Sequence, residues 1–390
     1  MPAGIKGEFG PGLRTHVLTL YHIANVSEPK IHEFLENMGI CMSKATISRI
    51  LTKDNEIFHG EKSDIFQAGL NSTTYQQIDD TGARVNGENW YTQILCNPYY
   101  TAYFTVPHKS RETILDILRC ENEKTYCLNE EAIELMETFN VAKTWRQKLS
   151  AFKNKVFSDE EMHRKLELLF SPDRHKTTKK RILEACAIAA YHQMKNIPVV
   201  TTLLSDDAPQ FKQLTSQHAL CWIHDGRNYK KLRAIVPYHE EKLKAFRSRY
   251  WEYYRKLCEF KKNPDAEVAE QLSVEFDQLF STETRYSKLD ERISKTKEKK
   301  ESLLIVLRLP EIPLHNNEAE LGARVKVRKR DVSLQTITEE GTKANDSFMT
   351  IVQTAKKLGV SAYDYIFDRV SKEFKMISLA QLIRQKSTST

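Results

Sequence analysis

The chain has 390 residues, of which 40% are hydrophobic and 9% aromatic, with only 13 Gly and 12 Pro. Such a composition excludes a disordered or fibrous protein, and the length predicts more than one packed unit. The 59 Lys and Arg residues against 52 Asp and Glu give a net charge of +7, which permits a polyanionic partner without requiring one.

The cysteines and the apolar runs indicate the compartment. Seven cysteines are an odd number, and they are scattered along the chain, as is typical of a reducing cytoplasm. Met1 to Gly12 has no apolar segment behind a basic start, and the longest apolar runs are far short of the roughly 20 residues that span a bilayer. We therefore expect a cytoplasmic protein without a membrane segment.

Residues 11–53 are predicted to be helical. Ser27 and Pro29 mark the start of a helix that ends at Gly39, and Ser43 then caps a short second helix. The exposed face of this second helix is predicted to carry Lys44, Thr46, Ser48 and Arg49. The pattern fits a helix-turn-helix whose second helix enters a DNA major groove, and it fits an ordinary helical hairpin equally well.

Strands are predicted from Tyr75 onward. The segments 75–79, 90–95 and 100–106 are rich in β-branched and aromatic residues and are separated by turn residues, which predicts an antiparallel meander. A capped helix at 110–120 and further helices between about 128 and 195 follow. The continuously apolar segment 198–204 then predicts a buried strand, parallel to the first one.

The remainder of the chain is predicted to be helical. Residues 227–309 are read as an inserted helical hairpin whose apolar stripe, from Phe246 to Phe260, belongs to a core. A final helical block covers 317–330 and 341–358, and Ser361 opens a last short helix before a frayed end from Lys386 to Thr390.

Acidic residues at strand ends are the informative chemical signal. A three-strand meander, a helix and a buried parallel strand follow the order of a ribonuclease-H-like mixed sheet, in which the first and fourth strands are neighbours. Asp79 and Asp206 are then adjacent, and paired carboxylates are a natural site for Mg²⁺. Glu320 is the candidate third acid. The alternatives are Asp80, Asp207 and Glu318.

Five segments follow from this α/β fold with helical insertions. They are a helical, helix-turn-helix segment at 1–70, a first part of the catalytic domain at 71–225 with an insertion at about 121–195, a helical insertion at 226–309, a C-terminal catalytic part with the third acid at 310–375, and a tail at 376–390.

Four motifs resemble those of bacterial transposases of the insertion sequence 66 family. They lie, in order, at 78–87 (IDDTGARVNG), 204–211 (LSDDAPQF), 221–227 (CWIHDGR) and 315–321 (HNNEAEL). The tract 324–331 and the helix at 350–366 also agree, so the resemblance runs from about residue 10 to residue 370.

The resemblance implies a DDE transposase in which Asp79, Asp206 and Glu320 hold two Mg²⁺ or Mn²⁺ ions for in-line displacement at phosphorus. The implied partners are double-stranded DNA at terminal inverted repeats, target DNA, further copies of the chain on that DNA, and accessory transposition proteins. Asn316 and Asn317 belong to the block that carries the third acid. Bacterial cytoplasm is the implied location.

The chain departs from the commoner family pattern at three positions. Asp80 replaces a frequent Glu, His315 a frequent Asp and Leu321 a frequent Arg, and none of these is a proposed ligand. The cysteine-rich zinc module that many members carry upstream is not found before Met1, which indicates a shorter subgroup or a truncated gene.

Cys221, Trp222 and His224 have the spacing of half a zinc site. Structural zinc needs four ligands and no second close pair follows, so we expect Cys221 and Trp222 to pack beneath the active site rather than bind zinc. His224 is placed to hydrogen-bond near the second acid. Trp222 could alternatively support a flipped base, although a buried Trp is favoured.

Clustered cations complete the sequence-based hypothesis. The cluster after the third acid is placed to hold phosphates that flank a scissile bond, and it comprises Arg324, Lys326, Arg328, Lys329 and Arg330. Two other functions stay open. One is a catalytically inactive DNA-binding relative, and the other is a ribonuclease-H-like metal nuclease that cuts without joining.

Overall fold

The computed structural model describes residues 9–170 and 174–388. The predicted leaderless start and the predicted frayed end therefore fall partly outside the described residues. Within them the chain forms two compact units, one of residues 9–200 with 318–388 and one of residues 201–317.

The first unit opens with four helices, α1 (Pro11–His22), α2 (Glu28–Asn37), α3 (Lys44–Thr52) and α4 (Glu56–Leu70). Ser43 caps α3 as predicted, because its Oγ accepts a hydrogen bond from the Thr46 backbone N–H at 3.1 Å. Ser27 occupies the N-cap of α2 without a side-chain cap bond. Gly39 follows α2 at φ +75°, a conformation that favours glycine.

A three-strand antiparallel meander follows, made of β1 (Tyr75–Val85), β2 (Glu88–Asn97) and β3 (Tyr100–Val106). Asn86 and Gly87 form the two-residue turn between β1 and β2, and both have positive φ, as a type I′ turn requires. The three-strand meander is as predicted, but β1 continues to Val85 instead of ending at Asp79, so Asp79 lies within the strand rather than at its end.

The rest of this part of the chain is α5 (Arg111–Leu118), β4 (Thr125–Leu128), α6 (Glu130–Thr138), α7 (Lys143–Ser150), β5 (Lys155–Ser158), α8 (Asp159–Leu169) and α9 (Lys176–His192). β4 and β5 pair as a separate antiparallel ladder that the sequence analysis did not predict.

The second unit contains β6 (Thr202–Ser205), β7 (Gln217–Leu220), α10 (Trp222–Lys231), α11 (Pro237–Phe260), α12 (Ala266–Leu279), α13 (Ser287–Lys297) and α14 (Lys300–Leu303), with short 3₁₀ helices at Pro209–Phe211 and Ile305–Leu307. β6 and β7 are parallel. The predicted strand at 198–204 is thus shorter than expected, and β7 was missed. Helices α10 to α14 also form more than the expected hairpin.

An aromatic core holds the second unit together. The predicted stripe of α11 is buried, and its Tyr250 and Tyr253 rings pack against Trp222 with centroids 5.5 and 5.6 Å away. Phe276 of α12 packs against Phe280 at 4.3 Å. Aromatic burial of this kind is a large contribution to stability.

The chain then returns to the first unit with α15 (Asn317–Ser333), α16 (Glu339–Leu358), α17 (Ala362–Val370) and α18 (Leu379–Ser387). The end predicted as a tail therefore contains a helix, α18, which packs on α4 and buries Leu379 and Ile383.

Helix α16 covers the outer edge of the meander. The backbone N–H groups of Thr101 and Tyr103 in β3 donate to Thr354 Oγ1 and Thr350 Oγ1 of α16 at 3.2 and 3.1 Å, and that of Thr105 donates to Asp346 Oδ2 at 2.6 Å. Acceptors four residues apart on a helix rise about 6 Å, close to two residues of a strand. The edge is thereby satisfied and protected from further pairing.

Candidate active site

Asp79 lies in β1 on the face of the meander that carries α15 and α16. Its direct partner across the antiparallel ladder is Ile94 of β2, and directly opposed residues point to the same face. Ile94 packs with Tyr103, Ala323 and Met349, of which the last two belong to α15 and α16. The Asp79 side chain therefore leaves the sheet on the side that α15 covers.

Gly322 lets the first turns of α15 approach this ladder step closely. A Cβ at residue 322 would lie 2.9 Å from Ile94 Cγ2, and the Tyr103 hydroxyl donates to the Gly322 carbonyl at 3.1 Å. Glu320 lies in the first turn of the same helix, with 13% of its side chain exposed and Arg324 Nη2 at 3.6 Å. The third predicted acid is thus held near the strand pair that contains the first.

Asp206 follows directly on β6 in the second unit. Its Oδ1 accepts a hydrogen bond from the Ala208 N–H at 3.0 Å, which orients the carboxylate at the strand end. The Ser205 hydroxyl donates to the Asp206 carbonyl at 2.6 Å and lies 2.7 Å from His218 Nε2 of β7. Burial lowers the pKa of His218 to about 4, so this imidazole is neutral at pH 7.

Each of the three alternative acids forms an ion pair with a lysine. The pairs are Asp80 with Lys109 at 3.6 Å, Asp207 with Lys212 at 2.8 Å and with Lys299, and Glu318 with Lys357 at 2.7 Å. Burial opposes ionisation of Asp207, but the hydrogen bonds from its two lysines hold its pKa below the ordinary value. A divalent cation would have to displace these ammonium groups to bind the alternative acids.

The predicted trio consists only of carboxylates, which are the ligands that Mg²⁺ and Mn²⁺ prefer. Asp79 and Glu320 belong to the first unit and Asp206 to the second. Among residues 9–170 and 174–388, no group of three His, Cys, Asp or Glu side chains is placed to hold a metal. The donor chemistry fits a hard divalent cation, and joint coordination by the trio stays a prediction.

Cys221 and Trp222 pack inside the second unit at the start of α10. The Trp222 ring is fully buried, its Nε1 donates to the Leu303 carbonyl at 2.8 Å, and its backbone N–H donates to the Leu314 carbonyl at 3.0 Å. Cys221 Sγ accepts from the buried Asn316 N–H at 3.4 Å. A buried Trp222 has no face for a flipped base.

The other two supporting residues lie nearer the surface. His224 is half-buried, and its Nε2 lies 2.9 Å from an Arg227 guanidinium nitrogen that donates to it. Asn317, at the start of α15, is exposed.

The basic tract on α15 divides by burial. Lys326 and Lys329 are 5% and 3% exposed. Lys326 Nζ lies 3.2 Å from Thr105 Oγ1 and 3.5 Å from Asp346 Oδ1, whereas Lys329 Nζ donates to the Tyr21 carbonyl and lies 3.2 Å from the Tyr21 ring centroid. Burial, with the nearby Lys326 charge, lowers the pKa of Lys329 to about 7. Both lysines thus serve packing inside the first unit.

The remaining cations of the tract lie further out. Arg330 donates to the Gly82 carbonyl of β1, while Arg324 and Arg328 are exposed, one helical turn apart. On α3, Lys44 and Arg49 are exposed and Thr46 and Ser48 half-buried. DNA contact by any of these residues stays a prediction, and it is best supported for the exposed residues because their side chains can reach DNA.

Gln77 was missed by the sequence analysis. It lies two residues before Asp79 and so on the same face of β1, and it is fully buried. Neither atom of its amide has a hydrogen-bond partner in the described part of the chain, and the same is true of Gln93 in β2. The i, i+2 spacing from Asp79 was visible in the sequence, but the burial was not.

This α/β chain, with one predicted acid inside β1, one directly after β6 and one in the first turn of α15, matches the model of the transposase IS66 family over residues 145–344. The match contains Asp206 and Glu320 and begins after Asp79. A Sinorhizobium fredii (strain NBRC 101917 / NGR234) protein named "Uncharacterized protein y4jO" is similar at 31% identity over 326 residues, which are 83% of this chain and 100% of that protein. The chain belongs to the IS66 family of transposases.

Among residues 9–170 and 174–388, no helix is both long enough and apolar enough to cross a bilayer.

Proposed function

We propose that this chain is a DNA transposase that cleaves DNA at transposon ends and joins those ends to target DNA. In this proposal Asp79, Asp206 and Glu320 bind two Mg²⁺ or Mn²⁺ ions in a ribonuclease-H-like arrangement. Helices α2 and α3 act as a helix-turn-helix that contacts the DNA through Lys44 and Arg49.

The close approach of α15 to the β1–β2 ladder carries the assignment of the ligands. In each of the three acidic motifs, the neighbouring acid has a lysine within ion-pair distance, which a metal ion would have to displace. Glu320 has a comparable pair with Arg324 at 3.6 Å, so the lysine pairs alone do not select the ligands. The close approach of α15 to β2 at Gly322 supports placing Glu320 near Asp79.

The proposed chemistry needs no covalent protein intermediate. In cleavage, a water oxygen bonds to phosphorus while the bond from phosphorus to the bridging 3′-oxygen breaks, and that oxygen leaves as a 3′-hydroxyl. In joining, the oxygen of that 3′-hydroxyl bonds to the phosphorus of a target phosphodiester while the target's own bond from phosphorus to its 3′-oxygen breaks. The target 3′-oxygen leaves as a hydroxyl, so one phosphodiester replaces another. Bound divalent ions supply charge stabilisation to the attacking and leaving oxygens. The three carboxylates would hold these ions in place, and this would position the phosphodiester for in-line attack.

An assay of DNA cleavage and joining tests this proposal. The full chain is incubated in Mg²⁺ or Mn²⁺ with labelled duplexes that carry the terminal inverted repeats flanking the gene. Asp79→Asn, Asp206→Asn and Glu320→Gln are each expected to abolish cleavage and joining while DNA binding is retained. Asp80→Asn and Glu318→Gln remove the same charge from lysine-paired acids and are expected to retain both reactions.

The products distinguish the functions. Joined products establish a transposase, nicks without joining establish a nuclease, and a shifted but uncut duplex establishes a DNA-binding relative. Strand transfer by Asp206→Asn would overturn the ligand assignment.

A further inference from the structure

The ends of three helices meet at an aromatic cluster in the first unit. Trp145 of α7 packs against Phe170, directly after α8, with ring centroids 4.1 Å apart. His175 precedes α9, and its ring centroid lies 5.4 Å from that of Trp145 and 5.6 Å from that of Phe170. The cluster therefore fixes the position of α7 relative to the start of α9.

Three lysines surround this cluster. Lys148 Nζ lies 4.7 Å from the Trp145 ring centroid, and Lys179 Nζ lies 6.0 Å from that of Phe170. Lys176 lies three residues before Lys179 on α9, a spacing that makes the two neighbours on the helix surface. Lys148 and Lys176 are exposed, and Lys179 is half-buried. We call these three residues the α7–α9 lysines.

Neighbouring cations are paired with acids, whereas the α7–α9 lysines are not. Arg146 pairs with Glu137 at 2.8 Å, and Lys180 lies 4.0 Å from Glu184. Among residues 9–170 and 174–388, no carboxylate lies within ion-pair distance of an α7–α9 lysine. The ring contacts of two of these lysines leave their charge in place. The three charges are therefore available to an external anion.

The first turn of α9 contains no acid to offset these charges, and His175 makes no side-chain cap bond. Lys176 and Lys179 lie near the positive end of the helix dipole, where anions are favoured over cations. An anion that binds the lysines would offset their repulsion with the dipole. The surface extends beyond this helix end, because Lys148 belongs to α7.

We propose that the α7–α9 lysines bind phosphates of duplex DNA. The inference rests on the proposed transposase function, and it adds a DNA-binding surface outside α2 and α3. Unlike Lys326 and Lys329 of α15, which are buried, these lysines reach the protein surface. Lysine contacts to phosphate carry no sequence information, so the surface is expected to bind any duplex.

The aromatic cluster favours duplex over single-stranded DNA as the ligand. Proteins that bind single strands stack the bases on accessible aromatic rings. Here Phe170 is buried, and Lys148 lies over the half-buried Trp145. These two rings therefore position the lysines rather than receive bases.

The salt dependence of DNA binding tests this surface. The full chain is titrated against a fluorescein-labelled 40-base-pair duplex of mixed sequence, in EDTA, between about 50 and 200 mM NaCl. Each phosphate contact contributes about 0.9 to the slope of log K against log salt concentration. Lys148→Ala, Lys176→Ala and Lys179→Ala are each expected to reduce that slope by about 0.9. Lys148→Arg retains the charge and is expected to keep the wild-type slope.

Lys153→Ala is the matched control, because Lys153 is an exposed lysine of the same unit whose Nζ lies 2.6 Å from Glu130. It removes the same charge and is expected to keep the wild-type slope. If the three alanine variants gave the slope of Lys153→Ala while the wild type binds and cuts DNA, the surface assignment would be overturned. A slope reduced for a single strand of the same length but not for the duplex would overturn the choice of ligand. A wild-type chain that binds no DNA would instead overturn the proposed function.

Discussion

Buried glutamines occupy both faces of the β1–β2 ladder. Gln77 shares a face with Asp79, and Gln93 lies opposite Asp80 on the other face. A buried amide without a hydrogen-bond partner costs about 1–3 kcal/mol of stability, so a native protein has a specific reason to keep one. The two glutamines therefore allow a structural cost to be separated from a functional one.

Gln77→Met and Gln93→Met are both expected to raise the free energy of unfolding by about 1–3 kcal/mol, because each replaces an unpaired amide with an apolar side chain of similar shape. Only Gln77→Met is expected to slow cleavage of transposon ends. Urea unfolding and the end-cleavage assay measure the two effects. Full cleavage by Gln77→Met would assign this amide no part in the reaction.

The buried Lys329 is expected to make the free energy of unfolding depend on pH. Its pKa is about 7 in the folded chain, below the roughly 10.5 of an unfolded lysine. Between these values the unfolded chain binds more protons, so the Lys329 contribution to stability increases as the pH rises and is lost on acidification towards 7. The stability of wild type minus that of Lys329→Met is expected to grow by roughly 2 kcal/mol from pH 7 to pH 9 in urea unfolding. A difference that is constant over this range would contradict the lysine's deprotonation.

Helix α15 depends on a close approach that a single methyl group would prevent. A Cβ on Gly322 would meet Ile94 Cγ2 at 2.9 Å and Thr101 Cγ2 at 3.3 Å, and both lie in well-packed strands. Gly322→Ala is expected to cost about 1–3 kcal/mol of stability and to slow end cleavage, because the helix that carries Glu320 moves away from β2.

Gly60→Ala is the control for this substitution. Gly60 lies inside α4, and a Cβ there would have nothing within 4 Å. Alanine is the better helix former, so this variant is expected to gain about 0.5–1 kcal/mol in urea unfolding and to cleave normally. A Gly322→Ala chain as stable as wild type would show that α15 adjusts without strain.

Local signals predicted many element boundaries. Ser110 and Ser361 cap α5 and α17, and Gly359 ends α16 at φ +74°. These boundaries were predictable because a helix cap depends only on residues a few positions away in the sequence. The strands β4, β5 and β7 were missed because each has four residues, which is too few to show a clear alternation of apolar and polar residues.

The burial of Lys326 and Lys329 was missed for a different reason. Ala319, Gly322 and Ala323 form the inward stripe of α15, and residues 326 and 329 continue it at helical spacing. The charge of the tract suggested an exposed face, whereas the small residues before it marked the packed one. Whether a lysine is buried depends on partners such as Asp346 and Tyr21, which are distant in the sequence.

At the scale of the whole molecule, the net charge of +7 does not show which cations are paired with acids inside the fold. Several cations neutralise acids of the fold itself, as Lys299 does for Asp207 and Lys357 for Glu318. The proposal assigns metal binding to one acid from each of three motifs that are far apart in the sequence. The proposal therefore requires the fold of the entire chain to bring the three acids together, which no single motif can do.

If Asp79, Asp206 and Glu320 bind the same ions, removal of any one is expected to weaken Mn²⁺ binding about as much as removal of any two. Acids that act as a unit are strongly non-additive, whereas independent sites add. Electron paramagnetic resonance of free Mn²⁺, titrated with the full chain, measures this without requiring activity. Asp80→Asn and Glu318→Gln are expected to leave the titration unchanged. Losses that add between Asp206→Asn and Asp79→Asn would show separate ion sites and contradict a shared two-metal centre.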